Sequence, residues 1–64
     1  MFTITFTKVF TPGSLLEGLT YTETISFPTR QSTSNYVAFL EAHTTEPVKA
    51  IGGSDYTVTA IQVN

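Results

Sequence analysis

The chain opens with a regular alternation of apolar and polar side chains that is typical of a half-buried β-strand. From Phe2 to Phe10, phenylalanine and isoleucine occupy one side and threonine most of the other, which is the two-residue period of a strand. A second alternation runs from Leu19 to Phe27, and Pro28 ends it because proline has no N–H to donate to a ladder. Lys8 and Glu23 interrupt the apolar sides of these two predicted strands.

The period changes in the middle of the chain. Between about Arg30 and Thr44 the apolar residues recur every three to four positions, which predicts an amphipathic helix. Thr29 or Ser32 is expected to cap its first turn, and the run from Thr44 to Pro47 to end it. The positions that set the helical period are Tyr36, Phe39, Leu40 and His43, with Val37 beside them.

Two further strands are predicted after the helix. The segment Pro47–Ile51 is a short strand at a sheet edge, because it begins with proline, and Gly52–Asp55 is a turn. Tyr56–Val63 is the last strand, and its apolar phase slips after Ala60. A β-bulge explains such a slip, and so does a strand end that is covered on both faces.

These elements predict one α+β domain spanning residues 1–64, because a chain of 64 residues has no room for a second. The order is ββαββ, a four-stranded sheet with one helix packed on one face. We expect Phe6, Ile25, Leu40 and Val58 to meet in its core.

The order hairpin, helix, hairpin resembles the β-grasp fold of the small immunoglobulin-binding domains of bacterial surface proteins. That resemblance implies a sheet whose first and last strands lie parallel in the centre. It implies no function, because it rests on architecture and not on a binding motif. A plain antiparallel four-stranded sheet with one covering helix is the alternative.

A second resemblance is carried by particular residues. The run FTITFTKVFT at Phe2–Thr11 is followed by GSLLEGLT at Gly13–Thr20 and, later, by GSDYTV at Gly53–Val58. Together these segments resemble small uncharacterised proteins of gokushovirus-type microviruses. The resemblance implies a bacteriophage origin, and with it the host cytoplasm as location, but it assigns no chemistry to any residue.

The charge and cysteine content narrow the classes of partner. Three basic and five acidic residues give a net charge of −2 with no run of either sign. Nucleic acid is therefore not the expected partner, because a phosphate backbone requires clustered cations. The absence of cysteine excludes disulfides and thiolate metal sites. No apolar run approaches the roughly 20 residues of a membrane span, so we expect no membrane association.

No catalytic, cofactor or metal site is predicted. His43 and Glu46 have the spacing of two neighbours on one helix face, but a metal or catalytic site needs a third group. A helix-end histidine at the margin of the core accounts for them. Ser14 and Ser54 fall in predicted turns, and Gly52-Gly53-Ser54 lacks the lysine and helix of a phosphate-binding loop. We therefore expect a protein that is not an enzyme.

The remaining charged and aromatic residues have structural explanations. The carboxylates Glu17, Glu41 and Asp55 are expected to be solvated, whereas Lys8 and Glu23 are expected to form a modest ion pair across the first hairpin. The strand aromatics are expected to pack under the helix. Stacking of single-stranded bases on them is the competing interpretation.

One apolar group does not fit the core. Val9, Ile61 and Val63 fall on sides that are otherwise lined by threonine. If the first and last strands are neighbours, the three form an exposed apolar patch of the kind that marks an association surface. A bulge that turns Ile61 and Val63 into the core is the alternative.

The prediction for function follows from this patch. We expect a small accessory protein that binds proteins, most simply itself as a homo-oligomer. A single-stranded nucleic-acid binder and a host-directed inhibitor protein are the alternatives.

Overall fold

The computed structural model describes residues 1–13 and 15–64 of the chain. Within them it contains one helix and a three-stranded antiparallel sheet of order β2-β1-β3. The α+β class is therefore confirmed. The elements are β1 (Phe2–Phe10), β2 (Thr20–Phe27), α1 (Arg30–Ala42) and β3 (Tyr56–Val63).

The sheet differs from the β-grasp arrangement in the relative direction of its first and last strands. β1 is central, as expected, but its pairing with β3 is antiparallel. A β-grasp sheet requires a parallel pair at this place, so the β-grasp prediction is not confirmed. The chain leaves β2 beside the start of β1, passes through α1, and enters β3 beside the end of β1.

The fourth predicted strand, Pro47–Ile51, is reduced to a single antiparallel bridge between Val48 and Tyr56 in the part of the chain that the structure describes. The two residues exchange N–H···O bonds of 2.7 and 3.3 Å. The ladder goes no further because the next free N–H, that of Ala50, donates at 3.0 Å to a carboxylate oxygen of Asp55. A side chain from within the loop thus takes the donor that a strand partner would need.

The connection between β1 and β2 is held by its own residues and by the turn before β3, where the Gly53 carbonyl accepts the N–H of Leu15 at 2.8 Å. Gly13 and Gly18 have φ angles of 89° and 86°, in the left-handed region that favours glycine. The Gly13 N–H donates to a carboxylate oxygen of Glu17 at 2.6 Å. The predicted turn residue Ser14 lies outside the described residues.

Helix α1 begins where the pattern predicts. The Thr29 hydroxyl accepts the N–H of Ser32 at 3.1 Å, which satisfies one donor of the first turn. The helix ends at Ala42, two residues earlier than expected, and the N–H of His43 closes its last turn on the carbonyl of Leu40 at 3.0 Å.

The core lies between α1 and one face of the sheet, here called the helix face. Ile4, Phe6, Leu40 and Val58 are fully buried there, and Ile25 packs against them from β2. The expected meeting of Phe6, Ile25, Leu40 and Val58 is confirmed. With so few residues fully buried, the hydrophobic contribution to stability is small.

A β-bulge interrupts the pairing of β3 with β1. The register shifts between Thr5 and Thr7, so that Phe6 lies opposite two residues, Ala60 and Ile61. Ala60 has a φ angle of 55°, and this left-handed residue absorbs the extra length. The bulge explanation of the slipped phase is therefore confirmed.

Candidate functional site

The structure separates the three residues of the predicted apolar patch. Val9 lies on the face of the sheet away from α1, here called the open face, between Thr20 and Thr57. Beyond the bulge the side chains of β3 change face, so Ile61 packs against the core. Val63 lies opposite Ile4 on the helix face and is 51% exposed. Val9, Ile61 and Val63 therefore do not share one surface, because the bulge turns two of them toward α1.

The open face is a threonine surface. Hydroxyls pair across β1 and β2 at three successive positions along the strands, at separations close to the limit for a hydrogen bond. The pairs are Thr3–Ser26 at 3.4 Å, Thr5–Thr24 at 3.3 Å and Thr7–Thr22 at 3.5 Å. The face is therefore polar and almost free of charge.

The aromatic side chains lie on the other side of the sheet. Phe6 is fully buried, and its ring lies 6.1 Å from that of Tyr36. A row of ring contacts continues along α1, from Phe27 to Tyr36 at 5.3 Å, to Phe39 at 5.6 Å and to His43 at 4.8 Å. The strand residues described on the open face include no aromatic ring on which a base could stack.

Among residues 1–13 and 15–64, the backbone groups at the outer edge of β2 have no hydrogen-bond partner. The Phe10 N–H donates to the Leu19 carbonyl at 3.2 Å, and bonded pairs alternate along an antiparallel ladder. In the observed register, Tyr21, Glu23, Ile25 and Phe27 therefore direct their N–H and C=O groups toward β1. The groups that point away from the sheet belong to Thr20, Thr22, Thr24 and Ser26.

The outer edge of β3 is covered over its first half. Tyr56 exchanges two bonds with Val48, and the Val58 N–H donates to the His43 carbonyl at 3.0 Å. The bulge at Ala60 then breaks the regular spacing of the backbone N–H and C=O groups in the rest of β3. Covering segments and bulges both protect a sheet edge from pairing with another chain. β2 has neither protection in the described structure.

Apolar side chains flank the open edge of β2 on the helix face. Leu19 is 47% exposed and Tyr21 is 54% exposed. The Tyr21 ring meets Phe10 edge-on at 5.7 Å, which holds it beside the strand. On α1, Phe39 is 39% exposed, and its ring lies between those of Tyr36 and His43 in the aromatic row. A second strand placed along β2 would meet these groups.

The groups considered for chemistry have structural roles. His43 Nδ1 donates at 2.8 Å to the backbone carbonyl of Glu46, so the contact between the two residues is with the main chain of Glu46. Ser54 donates its hydroxyl to the Ile51 carbonyl at 3.0 Å within a turn. No cluster of three or more histidine, aspartate or glutamate side chains suited to a metal occurs among residues 1–13 and 15–64.

Two ion pairs fix neighbouring segments. Lys8 Nζ lies 3.3 Å from Glu23 Oε2, which confirms the predicted pair, and 4.8 Å from the centre of the Tyr56 ring. Lys49 Nζ lies 3.4 Å from Asp55 Oδ2. The Ala50 N–H, and then Lys49, lower the pKa of Asp55, because both favour the charged carboxylate.

Sequence reasoning missed the edge of β2 as a surface. The signal is present in the strand's composition, since Thr20–Phe27 contains no lysine, arginine or proline. Natural edge strands commonly carry such residues to prevent pairing. The sequence pattern does not give the strand order. The strand order decides that β2, and not β1, lies at an edge of the sheet.

No helix described here is long and apolar enough to cross a membrane. Comparisons of the chain with protein-family models, with curated proteins and with solved structures found no match.

Proposed function

We propose that the protein is a non-enzymatic accessory protein that acts through protein–protein contact, and that its first partner is a second copy of itself. The observation that carries this proposal is the unprotected outer edge of β2, with its row of unpaired N–H and C=O groups. Antiparallel pairing of two β2 strands would join two three-stranded sheets into one of six. Each copy would satisfy the edge of the other.

One register suits a symmetric pair of β2 strands. The outward-pointing groups allow a two-fold axis at Thr22, Glu23 or Thr24. The axis at Glu23 places two carboxylates directly opposite each other, which is unfavourable. The axis at Thr24 pairs every strand residue except Thr20 and sets Tyr21 of one copy against Phe27 of the other. We therefore place the axis at Thr24.

The open face fits this pairing. The hydroxyl pairs that link β1 and β2 at 3.3–3.5 Å would continue across the axis as Thr24 against Thr24 and Thr22 against Ser26. On the helix face, Leu19, Tyr21 and Phe39 would lose exposed apolar area. Burying a large apolar side chain contributes about 1.5–3 kcal/mol, which adds to a core that has few fully buried residues.

The strength of the association can be bounded. The Thr24 register allows about six backbone hydrogen bonds, each with a net value of about 0.5–1.5 kcal/mol. Association itself costs about 4–15 kcal/mol. Together these bonds contribute about 3–9 kcal/mol, which covers only the lower part of that range of cost. The apolar contacts of Tyr21 and Phe39 therefore decide the affinity.

Single-cysteine variants test this proposal directly, because the chain has no cysteine of its own. Two residues at the axis of an antiparallel pair have Cα atoms about 5.5 Å apart, within the range of a disulfide. We expect Thr24→Cys to form a covalent dimer under mild oxidation. Thr22→Cys, displaced from the axis by two residues, should not.

Thr59 provides the matched control. It is an exposed threonine on the open face, but its backbone faces β1. Thr59→Cys should stay monomeric, and Thr59→Lys should leave the mass in solution unchanged. Thr24→Lys should return a dimer to the mass of one chain, because two lysines would meet at the axis. Equal cross-linking at positions 24 and 59, or the mass of one chain at every concentration, would contradict the proposal.

A bacteriophage origin and a host-cytoplasm location remain proposals that rest on the resemblance of the segments at 2–20 and 53–58. A host-directed inhibitor would use the same edge with a strand of a host protein as partner. Base stacking on the sheet is not favoured, because the strand aromatics lie on the helix face.

A further inference from the structure

A cavity of about 400 Å³ opens at the end of the sheet where β1 begins and β3 ends. Phe2 and Val63 form its sheet side, and Val37 lines it from the helix. Arg30, Thr33 and Ser34 of α1 complete the lining. Cavities that bind small molecules have about 300–1,000 Å³, so this one suits a ligand at the small end of that range.

The walls of the cavity are divided between apolar and polar groups. Phe2, Val37 and Val63 offer hydrocarbon surface, and Val63 is 51% exposed there. The Thr33 hydroxyl is used internally, since it donates to the Thr29 carbonyl at 2.8 Å. The polar groups left for a ligand are the guanidinium of Arg30 and the hydroxyl of Ser34, both on exposed residues.

The charge of Arg30 is uncompensated. The chain has three basic residues, and the other two pair with Glu23 and Asp55. Arg30 is without a carboxylate partner among the residues described. Its guanidinium carbon lies 5.7 Å from the centre of the Phe2 ring, a cation–π distance that holds the charge over the apolar wall.

The position of Arg30 in the helix is itself unfavourable. It is the first residue of α1, and the first turn contains no acidic residue. A cation there is repelled by the positive end of the helix dipole. Such a local conflict is expected at functional sites, where stability is given up for another purpose. An anion bound beside Arg30 would remove the repulsion.

We infer that this cavity binds a small carboxylate with an unbranched apolar tail. The tail lies on Phe2, Val37 and Val63. The carboxylate accepts hydrogen bonds from the Arg30 guanidinium and from the Ser34 hydroxyl. This site is separate from the β2 edge, so it stands whether or not two copies associate.

Octanoate is a suitable probe, with octan-1-ol and octylamine as ligands of the same length that lack the negative charge. Titration into ¹⁵N-labelled protein should shift the amide resonances of residues 2, 34, 37 and 63 in a saturable way. Octanoate should bind about tenfold more tightly than octan-1-ol, since a hydrogen bond to a charged group is worth about tenfold or more in affinity. Octylamine should bind the weakest.

Three variants distinguish the contribution of the Arg30 charge from that of the cavity volume. Arg30→Gln should weaken octanoate about tenfold and leave octan-1-ol unchanged. Val37→Phe, which fills the cavity, should weaken both. Lys49→Gln removes the same charge from an exposed site elsewhere and should change neither. The absence of saturable shifts, equal affinity for octanoate and octan-1-ol, or equal losses in Arg30→Gln and Lys49→Gln would overturn the inference.

Discussion

The bulge in β3 depends on Ala60, a residue in a backbone conformation that a side chain makes unfavourable. Replacing Ala60 with glycine therefore tests whether the bulge is formed as described. Ala60 has a φ angle of 55°, and an L-residue with a Cβ costs about 1–2 kcal/mol in the left-handed region relative to glycine. The Ala60 side chain is exposed, so removing its methyl group loses little packing. Ala60→Gly therefore isolates the backbone contribution.

The magnitude follows from two opposing effects. Glycine relieves about 1–2 kcal/mol of strain in the folded state. It also gives the unfolded chain more freedom, which costs about 0.4–1 kcal/mol. We expect Ala60→Gly to raise the free energy of unfolding by about 0.5–1 kcal/mol, and Tm by about 2–8 °C for a domain of this size.

Urea unfolding followed by circular dichroism measures this change, and two further variants give the comparison. Ala38→Gly makes the same chemical change at an exposed site inside α1, where it should destabilise by about 1 kcal/mol. Ala60→Val places a β-branched residue at positive φ and should also destabilise. If Ala60→Gly and Ala38→Gly both lowered stability equally, Ala60 would not be left-handed and the account of Ile61 and Val63 would fail with it.

Two pH dependences follow from the titratable groups. Burial raises the pKa of Tyr36, so stability should fall as pH rises from about 10, the ordinary tyrosine value, through the folded pKa; Tyr36→Phe should lose that component of the alkaline slope in urea titrations. The pKa of Asp55 is lowered, so this residue affects stability at acid pH. Its stabilising contribution is present above the ordinary carboxyl pKa and should be lost as pH falls through the pKa of the folded state. Asp55→Asn should be less stable than the parent chain at neutral pH and equal to it in strong acid, and an unchanged gap at all pH values would refute the role of the Ala50 N–H.

Local patterns predicted the elements well where one face of each is buried. The alternation in Phe2–Phe10 placed Ile4 and Phe6 in the core, and the three-to-four-residue period placed Leu40 there. The ion pair of Lys8 and Glu23 was also predictable, because both break the apolar side of adjoining strands. Each of these inferences needs only neighbours that are close in sequence or joined by one turn.

The candidate surfaces were harder to predict. Val9, Ile61 and Val63 were expected together, and the bulge separates them, since one inserted residue reverses every side chain that follows. The segment Pro47–Ile51 has the composition of an edge strand. Its Ala50 N–H donates instead to Asp55, a competition that sequence alone does not rank.

Residue periodicity was sufficient for the helix, for both ends of β1, for the end of β2 (which begins one residue later than predicted) and for the members of the core. The reason is that burial of one face imposes a period on the side chains that form it. Strand order, the antiparallel pairing of β1 with β3 and the position of the bulge required the folded structure. These depend on contacts between residues about 50 positions apart in the chain, such as Phe10 with Tyr56. Which edge remains open, and what lies beside Arg30, are decided by the same long-range contacts.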